Sequence, residues 1–351
     1  MSEGNGGPRR AAERIVKAFA ARRFGGSVAC EPLAGDASDR SFFRLHLPGL
    51  SPLVAMVHPE PFVLEDLPYF AHARFLREIG ADVPAVVASY PGEGILLLQD
   101  LGDETLMEHL GRADPERRRF LYRQAVQIIA FLQREGTRAV TPDLPASRTA
   151  LDRERLLWEL RFFADHYVRG LLGDPLGEEE MRRLDAWFAD LAASVAGYEW
   201  VLCHRDYHSR NLMVRSDRLY MVDFQDARMG PYTYDLASLL YDSYVDLPED
   251  LVEEMMEFFL EATGRDATTG ESRADGPRAT PEFREQFEMT CLQRNIKAVG
   301  TFACQAQEKG NRRYLPNIPP TLEKVRMNLL RRGYTEILDL FQGPLDSSRI
   351  L

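Results

Sequence analysis

The sequence predicts an α+β protein of two lobes, a small antiparallel β-sheet with a helix first and a larger, mainly helical lobe after it. Three observations predict it. Short strand-like runs punctuated by Gly and Pro fill the first hundred residues, and long stretches of helical spacing dominate after residue 101. A polar octet near residue 205 interrupts the helical stretches and leads into two further short strands. At 351 residues the chain is long enough for two such lobes, expected as 1–100 and 101–351.

Taken in order, residues 11–24 place Ile15, Val16, Phe19 and Ala20 at helical spacing. Pro48, Gly49 and Pro52 then separate strand-like Phe42-Phe43-Arg44-Leu45 from Leu53-Val54-Ala55-Met56-Val57, which reads as an antiparallel sheet. Residues 69–79 are expected as a helix packed on that sheet. Gly94 to Leu98 form a short buried strand, ending at Gln99-Asp100-Leu101-Gly102, the expected hinge. Helices are expected over 117–134, 153–168, 178–196, 249–262, 281–307 and 322–341. Residues 264–280 are polar and rich in Gly, Thr, Arg and Asp, and are expected as an exposed insertion, with a substrate lid as the alternative.

The octet is His204-Arg205-Asp206-Tyr207-His208-Ser209-Arg210-Asn211, and Asp223-Phe224-Gln225 begins twelve residues after its Asn. Leu212-Met213-Val214 and Leu219-Tyr220-Met221-Val222 read as a hairpin that carries Asn211 at its start and Asp223 at its end. An aspartate able to accept a hydroxyl proton, an Asn five residues on and a second carboxylate are the polar parts that phosphoryl transfer needs around a nucleotide and Mg2+. An isolated His-x-Asp is only a turn. Its combination with Asn211 and Asp223 in this order is what carries the reading.

Composition narrows the partners. Hydrophobic residues make up 45% and charged residues 28%, ordinary for a globular protein, and a net charge of -11 disfavours nonspecific binding to nucleic acid or anionic membrane. Residues 1–8 have no apolar core of a signal peptide, and no stretch approaches a membrane span. Cys30, Cys203, Cys291 and Cys304 are widely spaced and form no ligand pattern, so free thiols in a reducing cytoplasm are expected.

From Leu33 to Arg326 the chain resembles the aminoglycoside phosphotransferase-like kinases, which share the bilobal protein-kinase-like fold. The resemblance rests on Gly35-Asp36-Ala37-Ser38-Asp39-Arg40, Leu98-Gln99-Asp100-Leu101-Gly102-Asp103, the octet, Asp223-Phe224-Gln225-Asp226-Ala227, Gly230-Pro231-Tyr232-Thr233-Tyr234-Asp235-Leu236 and Gln293-Arg294-Asn295-Ile296-Lys297. These look closest to the branch of anomeric N-acetylmuramate/N-acetylglucosamine kinases. The resemblance implies ATP and Mg2+ as cofactors, Asp206 as the catalytic carboxylate, and Asn211 and Asp223 as metal ligands. It further implies that His204 orders the loop and that Asp235 holds the loop backbone from the next helix. The implied product is a sugar 1-phosphate, used by a nucleotidyltransferase in cytoplasmic peptidoglycan recycling. Aminoglycoside or other small-alcohol kinases, kinases of other sugars, and a nucleotide-binding pseudokinase remain as alternatives.

The turn with Gly35 and Ser38 is expected to cover the phosphates with backbone N–H groups, and Gln99 and Leu101 to meet the adenine. The strand that carries a phosphate-gripping lysine in typical kinases reads Val54-Ala55-Met56-Val57-His58 here. The four lysines are Lys17, Lys297, Lys309 and Lys324, so Arg40 and Arg44 are the expected substitutes. His208, Arg210, Asp226, Arg228, Tyr232 and Tyr234 are candidates for acceptor contacts or for loop support. Arg294 and Lys297, one helical turn apart, are candidates for an anionic group on the acceptor, such as a lactyl carboxylate, with a surface salt bridge as the alternative.

Overall fold

The computed structural model describes residues 6–25, 28–33, 40–173, 176–265 and 279–345. In chain order they form α1 (Gly6–Phe24), β1 (Ala29–Pro32), β2 (Ser41–His46), β3 (Leu53–Val57), α2 (Pro68–Glu78), β4 (Val86–Tyr90) and β5 (Ile95–Gln99). There follow α3 (Leu106–Leu110), α4 (Pro115–Phe131), the short α5 (Thr137–Ala139), α6 (Arg153–Phe163), α7 (Glu178–Ala196) and β6 (Trp200–Cys203). The chain ends with β7 (Leu212–Arg215), β8 (Arg218–Met221), β9 (Arg228–Pro231), α8 (Tyr234–Leu240), α9 (Glu249–Thr263), α10 (Pro281–Glu308), α11 (Ile318–Arg331) and α12 (Thr335–Leu345). Two compact units result: Met1–Glu104 with Met213–Gln225, and Thr105–Leu212 with Asp226–Leu351. The sequence placed a single division after residue 100. The first unit instead runs to Glu104 and takes the segment that follows the octet.

In the first unit, five antiparallel strands lie in the order β1-β2-β3-β5-β4. Period-two alternation puts Phe43 and Leu45, Ala55 and Val57, and Ile95 and Leu97 into one cluster, where Ala12, Val16 and Phe19 of α1 join them. Met56, paired with Phe42 and Leu96, is buried outside that cluster. β1 and β4 are sheet edges absent from the sequence reading. β1 is only four residues long, and β4 carries a register shift between Val86 and Ala88 that breaks its alternation. The β7–β8 segment is tied to this unit by Val214 N–H donating to Glu104 O (2.8 Å) and Met221 N–H to Asp82 O (2.9 Å).

The second unit is built around α10, 28 residues long and packed by α6, α8 and α11. Gly300 of α10 is required by the approach of α6, because a Cβ there would lie 2.7 Å from Phe163 Cα and 2.9 Å from its backbone N. Backbone cannot yield as a side-chain tip can. Gly300→Ala is therefore expected to destabilise the protein by about 1–3 kcal/mol, despite the roughly 1 kcal/mol that Ala gains over Gly in helix propensity. An unchanged thermal midpoint would show that the two helices are free to separate.

The helix expected over 322–341 is two helices. Gly333 sits at φ 70°, with its N–H donating to Leu330 O and the Tyr334 N–H to Leu329 O. This paired closure ends α11, and it needs a left-handed residue that glycine supplies without strain. The other expected helices occur with ends shifted by a few residues, those over 117–134 and 153–168 passing into π-helical turns at Leu132–Gly136 and Ala164–Leu171. Most of the 264–280 insertion lies outside the described residues. Among the described residues no helix is long and apolar enough to cross a membrane.

Candidate active site

The octet leaves the buried end of β6, whose Val201, Leu202 and Cys203 pair with β9. Its backbone is held against its own preference. Arg205 has φ 80°, a left-handed conformation uncommon for a residue with a Cβ, and Asp235 at the start of α8 accepts both the His204 N–H (2.6 Å) and the Arg205 N–H (2.9 Å). Burial pushes the Asp235 carboxyl above its ordinary range, against the pull of these two donors. His204 is buried, with its ring edge-on to Tyr207.

Further along, Asp242 accepts from the Ser209 N–H and hydroxyl, and Tyr207 OH donates to Ala125 O. Arg205 reaches Glu159, a carboxylate only 1% exposed that also accepts from Arg155 and Gln293. Glu159 and Asp242 were missed by the sequence reading. A signal for the first existed: Glu159 interrupts the apolar stripe of Leu156, Leu160 and Phe163, where an unpaired acid would be costly.

Asp206 is the centre of the charge cluster. Lys297 Nζ donates to its Oδ1 at 3.0 Å, and Arg294 Nη2 lies 3.9 Å from the same oxygen. Burial alone would raise the carboxyl, but Lys297, Arg205 and Arg294 outweigh it and hold Asp206 well below the usual range. Arg294 Nε donates to Ser238 Oγ at 2.9 Å. Neither cation is the surface salt bridge considered above, because their side chains are 9% and 12% exposed.

A small cavity of about 70 Å³ opens at these groups, lined in part by Asp206, His208, Ser243, Tyr244, Arg294 and Lys297. His208 Nδ1 is buried there without a hydrogen-bond partner among the described residues, and burial lowers its pKa to about 4, so the ring is neutral near pH 7. A larger cavity of about 240 Å³, with Glu253, Met256, Arg284 and Phe287 in its wall, shares only Tyr241 with the first. Its walls hold none of the octet.

The remaining candidates divide. Arg210 stacks its guanidinium over Tyr244 (4.8 Å) and Tyr314 (5.5 Å), the first of which lines the cavity. Asp226 pairs with Arg205 and Arg228 at 3.6 and 3.7 Å. Tyr232 OH donates to Gln286, and Tyr234 is fully buried.

Asn211 donates its Nδ2 to Asp206 O at 2.9 Å, which fixes the amide and leaves Oδ1 with no hydrogen bond among the described residues. In the first unit, Asp223 has φ 63°, accepts from Gln225 Nε2 (2.8 Å) and lies 3.7 Å from Arg40 Nη2, with its side chain about half exposed. Two strained non-glycine residues thus carry or adjoin the expected carboxylates. Such strain is concentrated where geometry serves function.

Arg44 departs from its expected role. Its guanidinium grips Asp100 through Nε (2.6 Å) and Nη2 (3.1 Å), and Nη1 lies 2.7 Å from Asp103. It is a buried clamp on the turn after β5 rather than a free phosphate fork. Gln99 is also engaged, its Oε1 accepting from Ala85 N–H at 3.3 Å, and Leu101 is buried. Gly35 and Ser38 lie outside the described residues.

The profile of the phosphotransferase enzyme family matches residues 29–274. An N-acetylmuramate/N-acetylglucosamine kinase of Pseudomonas aeruginosa is 32% identical over 305 residues, 86% of this chain and 84% of that protein. One of Neisseria meningitidis serogroup B is 30% identical over 312 residues, 88% and 87% of the two chains. Among solved structures, choline kinase from Cryptosporidium parvum Iowa II has a TM-score of 0.61 at 12% identity, covering 94% of this chain and 100% of its own. The ADP-bound aminoglycoside phosphotransferase APH(2'')-Ib has a TM-score of 0.59 at 13% identity, covering 89% and 97%. Likeness at that identity is one of fold, the protein-kinase-like class expected from the sequence. The family match spans most of the chain and includes the whole octet and Asp223, and the chain belongs to the phosphotransferase enzyme family.

Proposed function

We propose that the protein is an ATP-dependent kinase that phosphorylates the anomeric hydroxyl of N-acetylmuramate and N-acetylglucosamine. The observation that carries this reading is the similarity to kinases of that name over more than four fifths of both chains. Asp206 accepts a hydrogen bond from the acceptor hydroxyl, orients it in line with the γ-phosphorus and takes its proton as the new bond forms. A carboxylate held so far below the ordinary range is a weak base in the ground state. Orientation is therefore its larger contribution, as suits a loose transition state in which the proton leaves late.

Asn211 Oδ1 in the second unit and the Asp223 carboxylate in the first are each an oxygen donor of the kind Mg2+ takes, and the amide oxygen of Asn211 has no hydrogen bond among the described residues. The bound metal would neutralise charge on the nucleotide phosphates. Arg40 is the candidate for phosphate contact among the described residues of the first unit, Gly35 and Ser38 are candidates outside them, and backbone groups at Gln99 and Leu101 meet the base. Asp235 and His204 hold the loop.

In the acceptor pocket, His208 and Arg294 are the polar groups assigned to the sugar, with Arg294 facing an acceptor carboxylate where one is present. Asp226 pairs with both Arg205 and Arg228. The product is a sugar 1-phosphate, a substrate for a nucleotidyltransferase, and the enzyme works in the cytoplasm where ATP is supplied.

The test is ATP consumption by the purified protein with magnesium across N-acetylmuramate, N-acetylglucosamine, other hexoses, aminoglycosides and choline, followed by phosphorus NMR of the product. An anomeric phosphate doublet from an amino sugar is expected. Turnover confined to aminoglycosides or choline would replace the acceptor, and nucleotide binding without any turnover would leave a pseudokinase.

A further inference from the structure

We infer that Lys297 forms an oxyanion site at Asp206 that receives the oxygens of the phosphoryl group in transit. The inference rests on the kinase reading above and reassigns Lys297 from the acceptor to the reaction centre.

The first support is arithmetic of donors. An ammonium has three N–H donors, and among the described residues Lys297 makes one side-chain hydrogen bond, to Asp206 Oδ1. Arg294 has its Nε on Ser238 and its Nη2 at 3.9 Å from Asp206, beyond hydrogen-bond length. Both cations line the same small cavity and are nearly enclosed. Glu159 also acts on Lys297 and Asp242 on Arg294, so what an incoming anion would meet is the unused N–H donors of Lys297 rather than a net positive charge.

Position is the second support. The acceptor hydroxyl must hydrogen-bond Asp206, and Lys297 already occupies one oxygen of that carboxylate. A hydroxyl on the other oxygen places the reacting phosphoryl group at the same carboxylate that Lys297 holds. In the transfer, the bond from the γ-phosphorus to the ADP oxygen breaks and the bond to the acceptor oxygen forms. The acceptor proton passes to Asp206, while Lys297 keeps all its protons and stabilises the nonbridging oxygens.

The third support is need. Met56 is buried and neutral on the strand where a phosphate-gripping lysine was sought, and Arg44 is locked onto Asp100 and Asp103. Positive charge aimed at the phosphoryl oxygens contributes much of the rate in such transfers. α10 delivers it from Lys297.

Two anions share this chemistry, a phosphoryl group and an acceptor carboxylate, and paired substrates separate them. Lys297→Met and Lys297→Arg are to be assayed with N-acetylmuramate, which carries a carboxylate, and N-acetylglucosamine, which does not. We expect Lys297→Met to lower kcat by about 10²–10³-fold on both, with KM within about threefold, and Lys297→Arg to recover part of the loss. Unchanged kcat on both, or a KM defect confined to N-acetylmuramate, overturns the inference.

Thermal melting with ADP screens folding, and Lys297→Gln replaces Lys297→Met if the latter does not fold. If wild type uses a different acceptor, the acceptor assignment fails and the same kcat comparison is made with that acceptor. ADP-dependent binding of orthovanadate reads the site without turnover: loss in the Lys297 variant supports it, and wild-type affinity sinks it.

Discussion

Asp206→Asn is expected to lower kcat by about 10²–10⁴-fold, the range that loss of a positioned acid–base group produces. The substitution keeps the side-chain shape, so an acceptor hydroxyl can still be bound, but an amide cannot take its proton. The same change leaves Lys297, Arg205 and Arg294 without their shared counter-charge, and a stability loss of about 1–3 kcal/mol accompanies it. The sign follows from the direction of the shift. A carboxylate held below its unfolded pKa contributes stability at all pH values above that ordinary value, so neutralising it at pH 7 removes the contribution. ADP binding by calorimetry should be nearly unchanged, because Asp206 is assigned to the acceptor and the proton. Turnover at the wild-type rate would remove Asp206 from the chemistry altogether.

Much of the candidate site is legible because its signal is local. The order Asp206, Asn211, Asp223 is fixed by a loop and a hairpin whose lengths the sequence itself records, and the sheet strands β2, β3 and β5 follow from period-two alternation bounded by Pro and Gly. Glu159 and Asp242 were not legible in the same way. Each acquires its meaning from partners distant in the chain: Arg205 and Gln293 for one, Ser209 for the other. Nothing near them in sequence names those partners.

Arg44 shows the opposite error. The missing strand lysine pointed to Arg40 and Arg44 as substitutes, whereas Asp100 and Asp103, more than fifty residues later, claim the Arg44 guanidinium. Lys297 and Arg294 stood out by their spacing, but spacing cannot tell an outward pair from one turned onto Asp206. The break at Gly333 was legible in principle, since a glycine at the end of a helical stretch is a stop signal, and reading the apolar period through it produced one helix in place of two.

Asp223→Ala is the second large effect expected, a loss of turnover of at least about 10²-fold together with loss of the magnesium-dependent part of nucleotide affinity. Two causes must be separated, because Asp223 sits at φ 63°, where alanine is strained while Asp and Asn are tolerated. Asp223→Asn retains the backbone preference and removes only the charge. ADP affinity measured with and without Mg2+ then gives a readout that does not depend on catalysis. If the carboxylate binds the metal, wild type binds ADP more tightly with magnesium, and both variants bind it almost equally with and without. If Asp223→Asn keeps the full magnesium response and only Asp223→Ala loses it, the residue matters for the shape of its turn, and the metal assignment falls. Removing the carboxylate also takes a negative charge from beside Arg40, 3.7 Å away, so metal-free ADP affinity should rise or stay level rather than fall.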